Sequence, residues 1–149
     1  MNTIGKYLIN ECNKIEINVY IIKYLVEHGI NLNEYYQFET PLFVACKNGN
    51  EAIVKYLIKH GANINKENID KEIPLFLACN RGNEVLVKYL VELGSNINKE
   101  CWNHEISLFS ACNSGNKAIV KYLIELGSDI NKESMEGETP LSMACLKWK

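Results

Sequence analysis

Cysteine is the first candidate for chemistry in this chain, and its spacing argues against it. Cys46, Cys79, Cys112 and Cys145 stand 33 residues apart, and Cys12 precedes Cys46 by 34. There is no C-x-x-C pair and no Cys/His cluster at zinc spacing. Elements repeated at such an interval stack roughly 10 Å apart, whereas a disulfide needs Cα atoms within about 7 Å. These five thiols are expected to be small buried hydrophobes, and the off-register Cys101 a free thiol in a loop. His28, His60 and His104 make no catalytic pair. The first two fall at equivalent ends of predicted helices, where a cation complements the dipole, and His104 falls in a loop. The carboxylates form rows and do not converge as a pair. No nucleophile elbow, P-loop, dinucleotide fingerprint or H-E-x-x-H is present. The expectation is a chain with no enzymatic activity, no metal and no cofactor.

The totals narrow the alternatives. A net charge of −2, with Arg81 the only arginine among 16 basic residues, gives no basic face for nucleic acid. No apolar run approaches the roughly 18 residues that span a bilayer, and the N-terminus has no signal-peptide core. A cytoplasmic, reducing setting fits the unpaired cysteines. No nucleic acid, membrane or small-molecule substrate is expected as a partner, and the chain is expected to be a monomer.

The elements that position these rows follow from a repeated heptapeptide. Thr40-Pro41-Leu42-Phe43-Val44-Ala45-Cys46 returns as Ile73–Cys79, Ile106–Cys112 and Thr139–Cys145. A fixed period of this size marks a stacked array. Pro41 pre-sets φ for a first helical turn, and Thr40 can cap it. That helix runs to about Lys47 and stops at Gly49, a residue suited to a left-handed C-cap. Glu51–His60 predicts a second helix, with Ile53, Val54, Leu57 and Ile58 on one stripe and Glu51 placed to pair with Lys55. Ala62–Lys66 leads out through a loop. The spacing predicts full units at 35–67, 68–100 and 101–133, a divergent first unit at 1–34, and a half unit at 134–149. In the first unit Leu8 and Cys12 match Leu42 and Cys46, and Ile21–Gly29 matches a second helix. The two offsets differ by two residues, 34 against 32. After Lys147-Trp148-Lys149 the pattern calls for a further second helix.

The motif, the glycine turn and the Gly-Ala-x-x-Asn-like ending resemble ankyrin repeats. The resemblance implies an all-α ankyrin solenoid with hairpin-like loops in a single domain over 1–149. It also implies a non-enzymatic protein–protein interaction module that uses a concave face and loop tips. Two other roles stay open: a spacer segment of a longer ankyrin protein, and a small inhibitor resembling the ankyrin kinase inhibitors. Departures from the family are visible. Phe43, Phe76, Phe109 and Ser142 replace the usual His, Ile73 and Ile106 replace the capping Thr, and Ser107 replaces Pro. Each lost cap costs about 1 kcal/mol.

In that family the loop before each first helix projects as a finger and helps line the binding face. Carried over position by position, the implied contacts are Tyr36, Gln37 and Glu39; Ile69, Asp70 and Glu72; Trp102, Asn103 and Glu105; and Met135, Glu136 and Glu138. Lys47, Arg81 and Asn113 flank them. Glu39, Glu72, Glu105 and Glu138 form an acidic row, and Tyr36, Ile69, Trp102 and Met135 a row that is always large and apolar. The second row is expected to be exposed and to supply anchors. The lysines at 23, 55, 88 and 121 are expected on a solvated outer face. Asn33, Asn65, Asn98 and Asn131 are expected to bond loop backbone; in animal members of the family this Asn can be hydroxylated.

Overall fold

Small side chains at matched places let the first helices of successive units lie side by side. The computed structural model describes residues 3–14 and 18–147. Among these residues the order is α1 (Thr3–Asn13), α2 (Val19–Glu27), α3 (Pro41–Asn48), α4 (Glu51–Lys59), α5 (Pro74–Arg81), α6 (Glu84–Glu92), α7 (Ser107–Ser114), α8 (Lys117–Glu125) and α9 (Pro140–Lys147). The odd-numbered helices form one layer, α1 on α3 on α5 on α7 on α9, and each except α9 pairs with the helix that follows it. In the second layer α6 and α8 touch directly. A layer held by Ala45, Ala78, Ala111 and the cysteines at 46, 79 and 112, all buried, packs more closely than one carrying Tyr56, Tyr89 and Tyr122.

Each helix stops and starts where its residues dictate. Gly49 and Gly82 close α3 and α5 at φ 71° and 72°, a conformation costly for any residue with a Cβ. The asparagines after these glycines cap the second helices: Asn50, Asn83 and Asn116 accept from the amides of Ile53, Leu86 and Ile119. Thr40 caps α3 by accepting from Phe43 N at 3.3 Å. Ile73 and Ile106 make no side-chain cap. Both are 1% exposed, and burying an isoleucine contributes about 1.5–3 kcal/mol, which offsets the missing cap. Phe43, Phe76 and Phe109 are likewise buried, so apolar packing stands where the family has a hydrogen-bonding His. At α9, Thr139 and Ser142 cap one another: Ser142 N donates to Thr139 Oγ1 at 3.2 Å and Thr139 N to Ser142 Oγ at 2.9 Å.

The units are tied along the loops by asparagine. Asn33 Nδ2 donates to Gly61 O at 3.0 Å, and Asn33 Oδ1 accepts from Asn63 N at 2.7 Å. Asn65 does the same to Gly94 and Asn96, and Asn98 to Gly127 and Asp129. Lys99 with Glu67 and Lys132 with Glu100 add ion pairs between units, each at 2.7 Å.

Several expectations need correction. Cys12, Cys46, Cys79 and Cys112 are buried, but Cys145 is exposed, because no described element covers that side of α9. Cys101 is a free thiol in a loop, as expected, and it is buried there. Burial pushes the Cys46 thiol up to about 12 and the Cys112 thiol up to about 11. Glu51 does not pair with Lys55: it accepts from Asn83 Nδ2 at 3.4 Å, and Lys55 lies 5.6 Å above the Tyr89 ring. In the first unit Glu11 stands where the others have Ala and is buried against Lys14. The turn that carries the offset difference includes residues 15–17, which lie outside the described residues, as do Trp148 and Lys149.

Candidate protein-interaction site

Each finger is a short turn closed by its own backbone. Tyr36 N donates to Glu39 O at 2.9 Å, Asn68 N to Glu72 O at 2.9 Å, Cys101 N to Glu105 O at 3.0 Å and Ser134 N to Glu138 O at 2.8 Å. The chain reverses through a positive φ at Phe38 (70°), Lys71 (58°), His104 (61°) and Gly137 (74°). Only the last of these four is a glycine, so the first three hold a left-handed conformation against their own side chains. Side chains brace the turns: Asn68 Oδ1 accepts from Asp70 N and Glu72 N, and Ser134 Oγ from Glu136 N and Glu138 N.

Neighbouring fingers are also joined to each other. Trp102 N donates to Asp70 O at 2.9 Å, Trp102 Nε1 to Ile69 O at 3.0 Å, and Met135 N to Asn103 O at 2.9 Å. The last three fingers therefore form one hydrogen-bonded edge. Along it Ile69, Trp102 and Met135 stay 63%, 59% and 68% exposed. The Lys71 ammonium sits 4.9 Å above the Trp102 ring, a cation–π contact that steadies the indole.

Tyr36 breaks the row. Its counterparts face water, but Tyr36 is buried. Its ring lies against Gly5 of α1, where an added Cβ would fall 1.7 Å from Tyr36 Cε1. Its hydroxyl lies 3.0 Å from Asn31 O and 3.2 Å from Glu34 Oε2, one of which takes its proton. Burial first, then the Glu34 charge, pushes that phenol up to about 12. Tyr36 ties the first unit down. The large apolar side chain exposed at the tip of that finger is Phe38, at 71%. Phe38 shares the left-handed tip position with Lys71, His104 and Gly137, and that shared register is the signal that marks it.

The acidic row is coherent in the structure. Burial, then the nearby charges of Glu138, Glu72 and Glu136, raise the Glu105 carboxyl above the usual carboxylate range. Burial raises that of Glu72, the Asn68 hydrogen bond opposes it, and Asp70 and Glu39 add to it. These carboxylates feel one another across units. At the near end Lys47 donates to Glu39 Oε1 at 3.1 Å. Arg81 reaches back to Lys47 O at 3.2 Å, and Asn113 is exposed at the end of α7. Gln37 is exposed at the first tip, as are Asp70, Asn103 and Glu136 at the others. A shallow hollow lined by Asn103, Glu105, Ser134, Met135 and Glu136 separates the last two fingers.

On the opposite face the lysines at 23, 55, 88 and 121 are exposed. His28 and His60 close α2 and α4, with Nδ1 donating to Tyr24 O at 2.7 Å and Tyr56 O at 2.8 Å. No group of His, Cys, Asp and Glu that could hold a metal ion occurs among the described residues. No helix of the described residues is long and apolar enough to cross a membrane.

No curated protein matches the sequence. A family model for ankyrin repeats, in three copies, matches residues 11–68 and 60–134. That span holds the helix pairs α3–α4, α5–α6 and α7–α8, the glycine turns between their helices and three of the four fingers, and the chain belongs to the ankyrin repeats.

Proposed function

We propose that the chain is a non-enzymatic recognition module that binds a protein partner along the finger edge and the adjoining first helices. Ankyrin repeats are protein–protein interaction modules as a class. The observation that carries the specific reading is the linked edge itself. Large apolar side chains stand out from backbone that is already ordered by hydrogen bonds, so docking on them requires little further ordering. Trp102 is the central anchor, since indole side chains are prominent among residues that dominate interface energies. The acidic row running beside it favours a partner with basic and hydrophobic patches and speeds its approach.

The test is quantitative capture of partners by wild type, by Ile69→Ala/Trp102→Ala and by Lys88→Ala/Lys121→Ala. The finger pair is expected to lose its partners and the outer-face pair to keep them. Partners that survive the finger change in full would refute the assignment. Tyr36 is not a useful site for this test, because its loss unseats α1.

A further inference from the structure

The acidic row keeps its carboxylate from finger to finger but loses the cation that answers it. On the first finger Lys47, in the last turn of α3, donates to Glu39 Oε1 at 3.1 Å. One and two periods further on, the carboxylate is still a glutamate, Glu72 and then Glu105, but the lysine has become Asn80 and then Asn113. Among the described residues neither Glu72 nor Glu105 makes an ion pair. Glu72 accepts from Asn68 Nδ2 at 2.9 Å, a neutral donor on its own finger. Lys71 and Arg81 are engaged elsewhere: Lys71 lies 4.9 Å above the Trp102 ring, and Arg81 donates to Lys47 O at 3.2 Å.

The missing charge is felt at the third finger. Burial, then Glu138, Glu72 and Glu136, hold the Glu105 carboxyl above its ordinary range, and no cation opposes them. A carboxylate kept under that load, in a fold that places the matching lysine on its first finger, leaves room for a cation from outside. Apolar surface stands on the same two fingers, with Ile69 63% and Trp102 59% exposed. Access is open too: Glu105 lines the hollow between the last two fingers, with Asn103, Ser134, Met135 and Glu136. Exposed anchors and uncompensated carboxylates thus alternate along an edge whose backbone is already linked.

We propose, taking the finger edge to be the binding surface as above, that it receives an extended segment of a partner protein in which two basic residues, three positions apart, flank an apolar one. The basic side chains take the place that Lys47 fills on the first finger, one against Glu72 and Asn80 and the other against Glu105 and Asn113. The apolar residue between them lies on Trp102. The spacing follows from the stack. Units lie roughly 10 Å apart, and an extended chain advances about 3.3 Å per residue, so three residues span one unit. A helix needs about seven residues for that span, and its body of about 10–12 Å rides on the outstanding indole and isoleucine, away from carboxylates that are half-buried. Arginine suits the place best, because its planar fork can bond a carboxylate and an amide oxygen together.

The probe is a set of fluorescein-labelled peptides on a Gly-Ser background, each with two arginines and a leucine between them, the arginines two to seven positions apart. They are titrated with the full chain by anisotropy at low salt. Tightest binding is expected at a spacing of three, and replacing either arginine by glutamine should weaken it at least about tenfold, as for one lost charge pair. Asn80→Lys/Asn113→Lys supplies the missing cations from the chain itself. Both positions are exposed near the ends of α5 and α7, where lysine complements the helix dipole, and circular dichroism checks the fold. That variant should also bind at least about tenfold more weakly, while Lys88→Ala on the outer face binds as wild type does. Absence of peptide binding, binding indifferent to the spacing or tightest at seven, or binding unchanged in Asn80→Lys/Asn113→Lys overturns the proposal. The finger edge as a binding surface fails separately, if Ile69→Ala/Trp102→Ala keeps its captured partners in full.

Discussion

Trp102 stands out of the finger edge because three groups hold it there. Its two N–H groups bond the preceding finger, and Lys71 lies over its ring. Tyr36, two fingers earlier in the same register, points the other way because Gly5 leaves room for its ring. That opposition gives a residue-scale prediction. Gly5→Ala forces the ring or α1 to move and should destabilise the first unit by about 1–3 kcal/mol, as overpacking does. Urea unfolding checks it, and a midpoint equal to wild type would show that the contact is not tight. The sequence shows Tyr36, Ile69, Trp102 and Met135 as one row, since spacing carries register. It does not show which way a side chain turns, because that depends on what another unit leaves empty. Cys145 illustrates the same limit: its place in the motif matches four buried thiols, and its exposure depends on a neighbour outside the motif.

At the scale of the element, helix starts in this chain rest on one of two supports. Thr40 and Thr139 cap by hydrogen bond, whereas Ile73 and Ile106 are anchored by burial. Restoring a threonine is therefore not a gain. Ile106→Thr regains about 1 kcal/mol of cap but gives up about 1.5–3 kcal/mol of apolar burial. A net loss of about 1 kcal/mol is the expected result in denaturant unfolding, and a rise in stability would show that the cap outweighs packing here. Helix boundaries were legible from Pro, Gly and Asn to within a residue: α4 closes at Lys59 with His60 as its cap. The Glu51–Lys55 pair was not, because the neighbouring unit supplies Asn83 and the Tyr89 ring as better-placed partners. Pattern within one helix cannot show a competitor on the next.

For the whole molecule, repetition turns single side chains into surfaces, and the acidic one has a pH signature. Burial and then like charge hold the Glu105 carboxyl above its ordinary range, and burial does the same to Glu72. Between the ordinary carboxylate range and those raised values the folded chain binds more protons than the unfolded chain. Their contribution to stability therefore falls as pH rises through that window and recovers as pH falls. Glu105→Gln should stabilise the chain at neutral pH and flatten this dependence, as thermal melts across pH would show. A basic partner reverses the preference, since it needs the carboxylates ionised, so its affinity should decline on mild acidification. The solenoid itself was legible in the 33-residue period because every unit repeats its core residues. The orientation of the finger side chains was not, since it is set by hydrogen bonds between units that no single repeat contains.

The most direct measurement of the central claim is amide hydrogen exchange of the chain with and without a partner recovered in the capture experiment. Protection is expected to concentrate in residues 68–72, 101–105 and 134–138, the hydrogen-bonded fingers, and in the starts of α5, α7 and α9. Protection confined to α4, α6 and α8, with the fingers exchanging as in the free chain, would contradict it.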